Sequence, residues 1–94
     1  FSIVSVETIS NVVFIKIRAN VVHAKIFYWI TPLRFKHQPT VTEISKYGVY
    51  AGDAEFELIT LMITDYYPSM LNTIFVAVLT EDGGKKIIKR RFLP

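Results

Sequence analysis

The feature that most constrains this chain is a series of seven short apolar stretches, rich in β-branched and aromatic residues and separated by turn signals. Stretches of this kind, recurring about every 8–12 residues, are typical of two antiparallel sheets packed face to face. No stretch shows a convincing helical periodicity. The predicted fold is therefore all-β, a seven-stranded antiparallel two-sheet sandwich.

The predicted strands span residues 2–9, 12–19, 21–31, 40–45, 55–64, 71–80 and 85–92. A tight turn at Ser10-Asn11 joins the first two, and the Asp-Gly pair at 82–83 predicts a hairpin between the last two, because glycine supplies the positive φ that such turns need. The stretch 71–80 is nearly continuous in apolar residues, which predicts either a strand covered on both faces or one with an exposed apolar side.

Alternation along the strands predicts which side chains face the core. In the second strand these are Val13, Ile15, Ile17 and Ala19, and in the third they are Val22, Ala24, Ile26, Tyr28 and Ile30. In the fifth, Phe56 and Leu58, with Thr60 and Met62 after them, are expected to face inward, and Glu55, Glu57 and Ile59 outward.

Composition narrows the class of protein further. The 94 residues, 51% of them hydrophobic, suit one domain spanning residues 1–94, and the start at Phe1 suggests a domain excised from a larger protein. The absence of cysteine excludes disulfides and thiolate metal sites. A net charge of +3 is too small to predict nucleic-acid binding. No apolar run reaches the ~20 residues that a membrane-spanning helix needs.

The order of these strands resembles a fibronectin type III domain or, more loosely, an immunoglobulin-like sandwich. The likeness lies in the third strand (21–31), the loop Tyr66-Tyr67-Pro68, and the strand 71–80 with its hairpin into a basic last strand. The chain has no tryptophan in its second strand and no tyrosine at the corner after Pro68, where that family usually has them.

The resemblance implies a non-catalytic protein-interaction or spacer module of a surface or secreted protein, as in cell adhesion, binding through a sheet face or an edge strand. It implies an extracellular or cell-surface location, no cofactor, and a partner that is another protein or a second copy. Two alternatives are a self-assembling subunit of a surface filament or coat, and a glycan-binding accessory domain that stacks sugars on Trp29.

The candidate binding site follows from the predicted faces of the third strand. If the predicted core face of this strand is correct, Phe27 and Trp29 point outward. Phe75 then joins them as a third apolar anchor, with Phe14 nearby. Lys25, Lys89 and Arg91 would form a cationic rim. Aromatic residues and cations of this kind are typical of protein interfaces. A one-residue slip in register would instead bury Trp29, so both arrangements stay open.

Other polar residues support weaker hypotheses. The two histidines, His23 and His37, lie apart and in no catalytic motif, so no catalytic residue is predicted. The acidic residues Asp53, Glu55 and Glu57 provide fewer oxygen ligands than calcium prefers, so a solvated face is the preferred interpretation. The basic last strand (85–92) either binds phosphate, sulfated glycan or an anionic membrane, or, as we favour, keeps an edge strand from pairing with other chains.

Overall fold

The computed structural model describes residues 2–18, 24–32, 38–54 and 58–94, the side chains of residues 53 and 54 excepted. In chain order its elements are β1 (Ser2–Ile9), β2 (Val12–Arg18), β3 (Ala24–Pro32), α1 (Val41–Tyr47), β4 (Val49–Ala54), β5 (Leu58–Ile63), β6 (Asn72–Leu79) and β7 (Lys85–Phe92).

The strands form two antiparallel sheets. A three-stranded sheet has the order β1-β2-β5, and a four-stranded sheet has the order β4-β3-β6-β7. The predictions of a mostly β chain, of seven strands and of two antiparallel sheets are therefore confirmed.

One hydrophobic core lies between the inner faces of the two sheets. The three-stranded sheet contributes Ile15 and Ile63, and the four-stranded sheet contributes Ile26, Ile74 and Val76; each is at most 1% exposed. The core faces predicted for β2 and β3 are confirmed wherever the structure describes them, because alternation in a strand fixes both faces once one is known. The predicted core positions Ala19 and Val22 lie outside the described residues.

The fourth predicted strand is wrong. Residues 40–45 begin the helix α1 instead, and the fourth strand is β4, a stretch in which no strand was predicted. The β-branched residues Val41, Thr42 and Ile44 favour a strand by local propensity. The fold overrides that preference because Ile44 is fully buried against the four-stranded sheet.

The predicted faces of β5 are also wrong by one residue. Leu61 and Ile63 face the core, whereas Leu58 and Met62, expected to be buried, are 48% and 69% exposed. Pairing with β2 sets this register, since Ile63 lies opposite Val13. A shift of one residue exchanges every side chain between the two faces of a strand.

The long apolar stretch 71–80 is covered on both sides. As β6 it is an interior strand, and its residues 72–78 are all buried. Ile74, Val76 and Val78 face the core between the sheets, while Phe75 and Ala77 lie under the helix. The interpretation of this stretch as a strand covered on both faces is therefore confirmed.

The turn and the hairpin predicted from local sequence are present. Ser10 and Asn11 join β1 to β2 with φ of 51° and 66°. Gly83 joins β6 to β7 with φ of 87°, in the left-handed region that glycine tolerates best. The Asp82 carboxylate accepts hydrogen bonds from the Thr80 hydroxyl and the Gly84 N–H, and these bonds lower the pKa of Asp82.

Candidate functional site

The six residues of the predicted binding site all belong to the outer face of the four-stranded sheet. Across the strands, Trp29 lies opposite Phe75, and Phe75 lies opposite Lys89. Lys25 stands at one end of this face, and Arg91 at the other, opposite Thr73. The remaining residue, Phe27, stacks obliquely on Tyr50 of β4, with the ring centroids 5.2 Å apart. The third-strand register that the prediction required is therefore confirmed.

The helix α1 covers the middle of this face. Ile44 of the helix and Phe75 and Ala77 of β6 are each 0% exposed and form a small second core. The exposed position predicted for Phe75 is therefore wrong, because the chain's own helix occupies the space. Phe27 and Trp29 are partly buried at the rim of the same cluster, and Lys25, Lys89 and Arg91 are exposed. The binding roles of these residues stay predictions.

Local sequence sets the start of the helix. The Thr40 hydroxyl accepts a hydrogen bond from the Glu43 N–H at 3.1 Å, and the Glu43 carboxylate accepts one from the Thr40 N–H at 3.1 Å. This reciprocal capping box satisfies donors that have no partner within a helix. The Thr-x-x-Glu spacing was visible in the sequence and is the signal that the strand prediction missed.

Close backbone contact sets the end of the helix. The Gly48 N–H donates to the Ile44 carbonyl at 2.8 Å, and β4 begins at the next residue. A Cβ atom on Gly48 would lie 2.5 Å from that carbonyl oxygen and 2.6 Å from the Tyr28 carbonyl oxygen. Only glycine fits between α1 and β3 here without a shift of the backbone.

Phe14, which the sequence analysis grouped with the aromatic anchors, lies on the other sheet. It belongs to the outer face of the three-stranded sheet and is paired with Met62 of β5 and Glu7 of β1. It is therefore remote from Phe27, Trp29 and Phe75, and the part of the prediction that included it is wrong.

A second surface, which the sequence analysis did not identify, lies where β4 and β5 end their sheets. A groove of about 270 Å³ runs between these two strands, with Tyr28 and Leu61 at its base. Exposed apolar side chains stand around it: Val49 is 44% exposed, Tyr50 52% and Met62 69%. This surface was not predicted because no strand was expected at residues 49–54 and Met62 was expected to face the core.

The edge strand β5 is uncharged along its whole length, Leu58–Ile63. It ends its sheet, so one of its edges pairs with no strand in the described part of the chain. By contrast, the edge strand β7 carries two lysines at its start and three further cations near its end. Charged residues on an edge strand oppose strand addition, whereas an uncharged edge permits it.

A buried tyrosine also lies at this groove. The Tyr28 hydroxyl donates a hydrogen bond to Oδ1 of Asp65 at 3.3 Å. Burial raises the pKa of Tyr28 above its ordinary value, and the Asp65 charge and the hydrogen bond raise it further. Tyr28 is therefore a neutral hydrogen-bond donor at neutral pH.

The structure offers no metal centre within residues 2–18, 24–32, 38–54 and 58–94, where no three histidine, aspartate or glutamate side chains cluster. His23, His37, Glu55 and Glu57 lie outside the described residues, as does the side chain of Asp53. The hypotheses built on them stay predictions. Among the helical residues described, no helix is long and apolar enough to span a membrane.

Comparison with protein-family models, with curated proteins and with solved structures finds no match to this chain.

Proposed function

We propose that this chain is a non-catalytic protein-interaction module of a surface or secreted protein, and that it binds its partner along the edge strand β5. The observation that carries the proposal is that β5 is an uncharged edge beside the apolar β4–β5 groove. The surface or secreted location rests on the family resemblance alone.

The finer fold type is part of this proposal. We infer a fibronectin type III-like sandwich, and the strand order supports it. The fourth strand pairs with β3 rather than with β5, whereas constant-type immunoglobulin domains place the fourth strand beside the fifth. The first, second and fifth strands form one sheet in both arrangements.

The occupant that fits the β5 edge is an extended segment of a partner protein. An added strand forms main-chain hydrogen bonds with the edge, and its alternate side chains contact the two faces of the sheet. On the outer face these side chains would contact Leu58 and Met62, which are 48% and 69% exposed. On the inner face they would enter the β4–β5 groove near Tyr28 and Leu61.

Substitution of an exposed apolar residue by lysine tests this mode of binding. Peptides selected from a displayed random library against the wild-type domain are measured against Met62→Lys. We expect affinity to fall by at least about tenfold, because an added strand would desolvate the new ammonium group. The amide resonances of residues 58–63 should shift when a selected peptide binds the wild-type domain.

Val4→Lys is the matched control. Val4 is 46% exposed on β1, the opposite edge of the same sheet, so the substitution adds the same charge away from β5. Selected peptides that bind Met62→Lys as tightly as wild type would contradict the proposal. If the wild-type domain instead forms concentration-dependent dimers that Met62→Lys disrupts, β5 joins two copies, which would favour the self-assembling subunit.

A further inference from the structure

A second pocket, which the proposed function does not use, lies on β6 and β7, at the edge of the four-stranded sheet opposite β4. It has a volume of about 210 Å³ and is lined by Thr73, Lys89, Arg90 and Arg91. We call it the Thr73 pocket. Drug-sized ligands occupy pockets of roughly 300–1,000 Å³, so a pocket of this size suits a small chemical group.

The charges around the Thr73 pocket have one sign. Three of its lining residues are the consecutive cations at 89–91, and none of the lining residues that the structure describes is acidic. Antiparallel pairing places Arg91 directly opposite Thr73 and Lys89 opposite Phe75, so both belong to the outer face of the sheet. Nζ of Lys89 lies 3.5 Å from the amide oxygen of Gln38, a neutral group, so this contact does not neutralise the ammonium charge.

Thr73, which lines the pocket, has a buried hydroxyl group. Thr73 is 2% exposed, and its Oγ1 has no hydrogen-bond partner among the residues that the structure describes. The same holds, within the described residues, for the buried Oγ1 of Thr31, the residue opposite Thr73 on β3. Buried hydroxyls nearly always have partners, because desolvating them without one is unfavourable. An acceptor that enters the pocket and reaches Oγ1 of Thr73 would supply the missing partner.

We propose that the Thr73 pocket binds a tetrahedral oxyanion, a phosphate or sulfate group. The Thr73 hydroxyl donates a hydrogen bond to one oxygen, and Lys89 and Arg91 supply charge-assisted hydrogen bonds to the others. Guanidinium and ammonium groups bind such anions in complementary ways, the first through a planar fork and the second as a point charge.

This inference is independent of the proposed function. The Thr73 pocket lies on β6 and β7, whereas the β5 edge belongs to the other sheet. Failure of anion binding would leave the strand-addition proposal intact, and the reverse also holds. Anion binding in the Thr73 pocket would give the basic strand β7 a second role, besides keeping other strands from pairing with it.

Titration with inorganic phosphate and with sodium sulfate, each at constant ionic strength balanced by chloride, tests the site. We expect saturable chemical-shift changes at the amides of residue 73 and residues 89–91. Removing a hydrogen bond to a charged group should weaken binding by about tenfold or more, so Arg91→Gln and Thr73→Val should each show such a loss. Thr73→Val should fold at least as stably as wild type, because it replaces the hydroxyl with a methyl group of similar size and breaks no hydrogen bond within the described residues.

Lys86→Gln is the matched control. It removes one positive charge from the same strand, at a residue paired with Val78 and outside the pocket. Its affinity for both anions should stay within about twofold of wild type, since a remote exposed charge is largely screened. Equal losses in Lys86→Gln and Arg91→Gln, or shifts that never saturate, would show nonspecific attraction and overturn the proposal.

The two anions also distinguish the source of the bound group. A phosphate monoester gains its second negative charge near pH 6 and inorganic phosphate about one pH unit higher, whereas sulfate keeps its charge unchanged. Affinity for inorganic phosphate that rises from about pH 6 to pH 8 and exceeds that for sulfate would assign a phosphoryl group. A preference for sulfate would assign a sulfate ester. An unchanged affinity of Thr73→Val for both anions would remove the hydroxyl from the site and contradict the inference.

Discussion

At the scale of single residues, Asn72 fixes the connection between the two sheets. It is 0% exposed at the start of β6, and its carboxamide oxygen accepts a hydrogen bond from the Tyr67 N–H at 2.8 Å. Its Nδ2 group donates to the carbonyl of Tyr67 at 2.8 Å and to that of Met70 at 2.9 Å. The Tyr66 hydroxyl adds a bond of 2.8 Å to the Asn11 carbonyl in the β1–β2 turn. The loop after β5 is thus attached to both sheets.

Asn72→Ala should destabilise the domain by about 2 kcal/mol or more, because three hydrogen bonds are lost at a buried position. Asn72→Asp should not rescue stability, since aspartate keeps the acceptor but loses both donors and buries a charge. Urea unfolding curves give the free energies. Thr64→Ala, at an exposed position before the same loop, is the control. A loss below about 0.5 kcal/mol in Asn72→Ala would show that water replaces the carboxamide.

The pair Tyr28–Asp65 makes stability depend on pH at the alkaline end. Burial, the Asp65 charge and the hydrogen bond all raise the pKa of Tyr28 in the folded state. A raised pKa contributes stability that is present below the unfolded value and lost as pH rises through the folded value. Stability should therefore fall from about pH 10 upward.

Tyr28→Phe should remove this part of the pH dependence, measured as the slope of unfolding free energy against pH. Asp65→Asn should lower the pKa of Tyr28 only part of the way, because burial is the largest cause and stays in place. Ultraviolet titration of tyrosine absorbance follows the ionisation. If Asp65→Asn restored an ordinary pKa, the carboxylate rather than burial would dominate.

At the scale of elements, the helix α1 protects the outer face of the four-stranded sheet. It has seven residues, too few for a stable helix in isolation. Its stability must therefore come from its capping box, its close fit at Gly48 and the burial of Ile44 on Phe75 and Ala77. Ile44 is thus the fully buried side chain that joins the helix to the sheet, and Val41 packs beside it.

Ile44→Ala should destabilise the domain by about 2–4 kcal/mol and loosen the helix. Trp29, at the rim of the same cluster and the only tryptophan, reports on this change. Its emission should shift to the red, and iodide should quench it more readily than in wild type. Thr42→Ala, on the exposed side of the same helix, should leave both signals unchanged. Unaltered quenching in Ile44→Ala would mean that the helix does not shield Trp29.

Local patterns predicted most of the strands but not the helix that covers the outer face of the four-stranded sheet. Alternation in β2 and β3 gave the correct faces because those strands carry clear polar and apolar positions. In β5 every residue from Leu58 to Ile63 is uncharged, so its faces were predicted by extending the alternation of Glu55 and Glu57, and the prediction was wrong by one residue. The helix was not predicted because its β-branched residues are typical of a strand, and only the Thr40–Glu43 spacing indicated a helix start.

At the scale of the whole molecule, the side where β4 and β5 end their sheets differs in polarity from the side formed by β7. The β4–β5 side is apolar around its groove, while the β7 side carries a line of cations beside the Thr73 pocket. The candidate site was predicted on the sheet face between these edges, because the helix that covers the middle of that face was predicted as a strand. The six predicted residues do share that face. Phe75, however, is buried in the core under the helix, and Lys89 and Arg91 line the anion pocket that we propose.

The two cores differ in size, and this difference predicts two levels of stability within one domain. The core between the sheets has buried side chains from five of the seven strands, whereas the core under α1 holds three fully buried residues. Opening of the helix therefore exposes little apolar surface compared with global unfolding, and should require less free energy.

Amide hydrogen exchange measures both levels. The Ile44 and Gly48 amides, bonded within the helix at 3.0 and 2.8 Å, should exchange through a local opening well below the global free energy of unfolding. The amides of β6 should exchange only on global unfolding. Ile44→Ala should speed exchange in the helix and in β6 by about the same factor, because the Ile44 contacts are lost in both openings, whereas Asn72→Ala should speed exchange in β6 and leave the helix unchanged. Equal exchange free energies for the helix and β6 in wild type would mean that the helix and both sheets unfold as one unit.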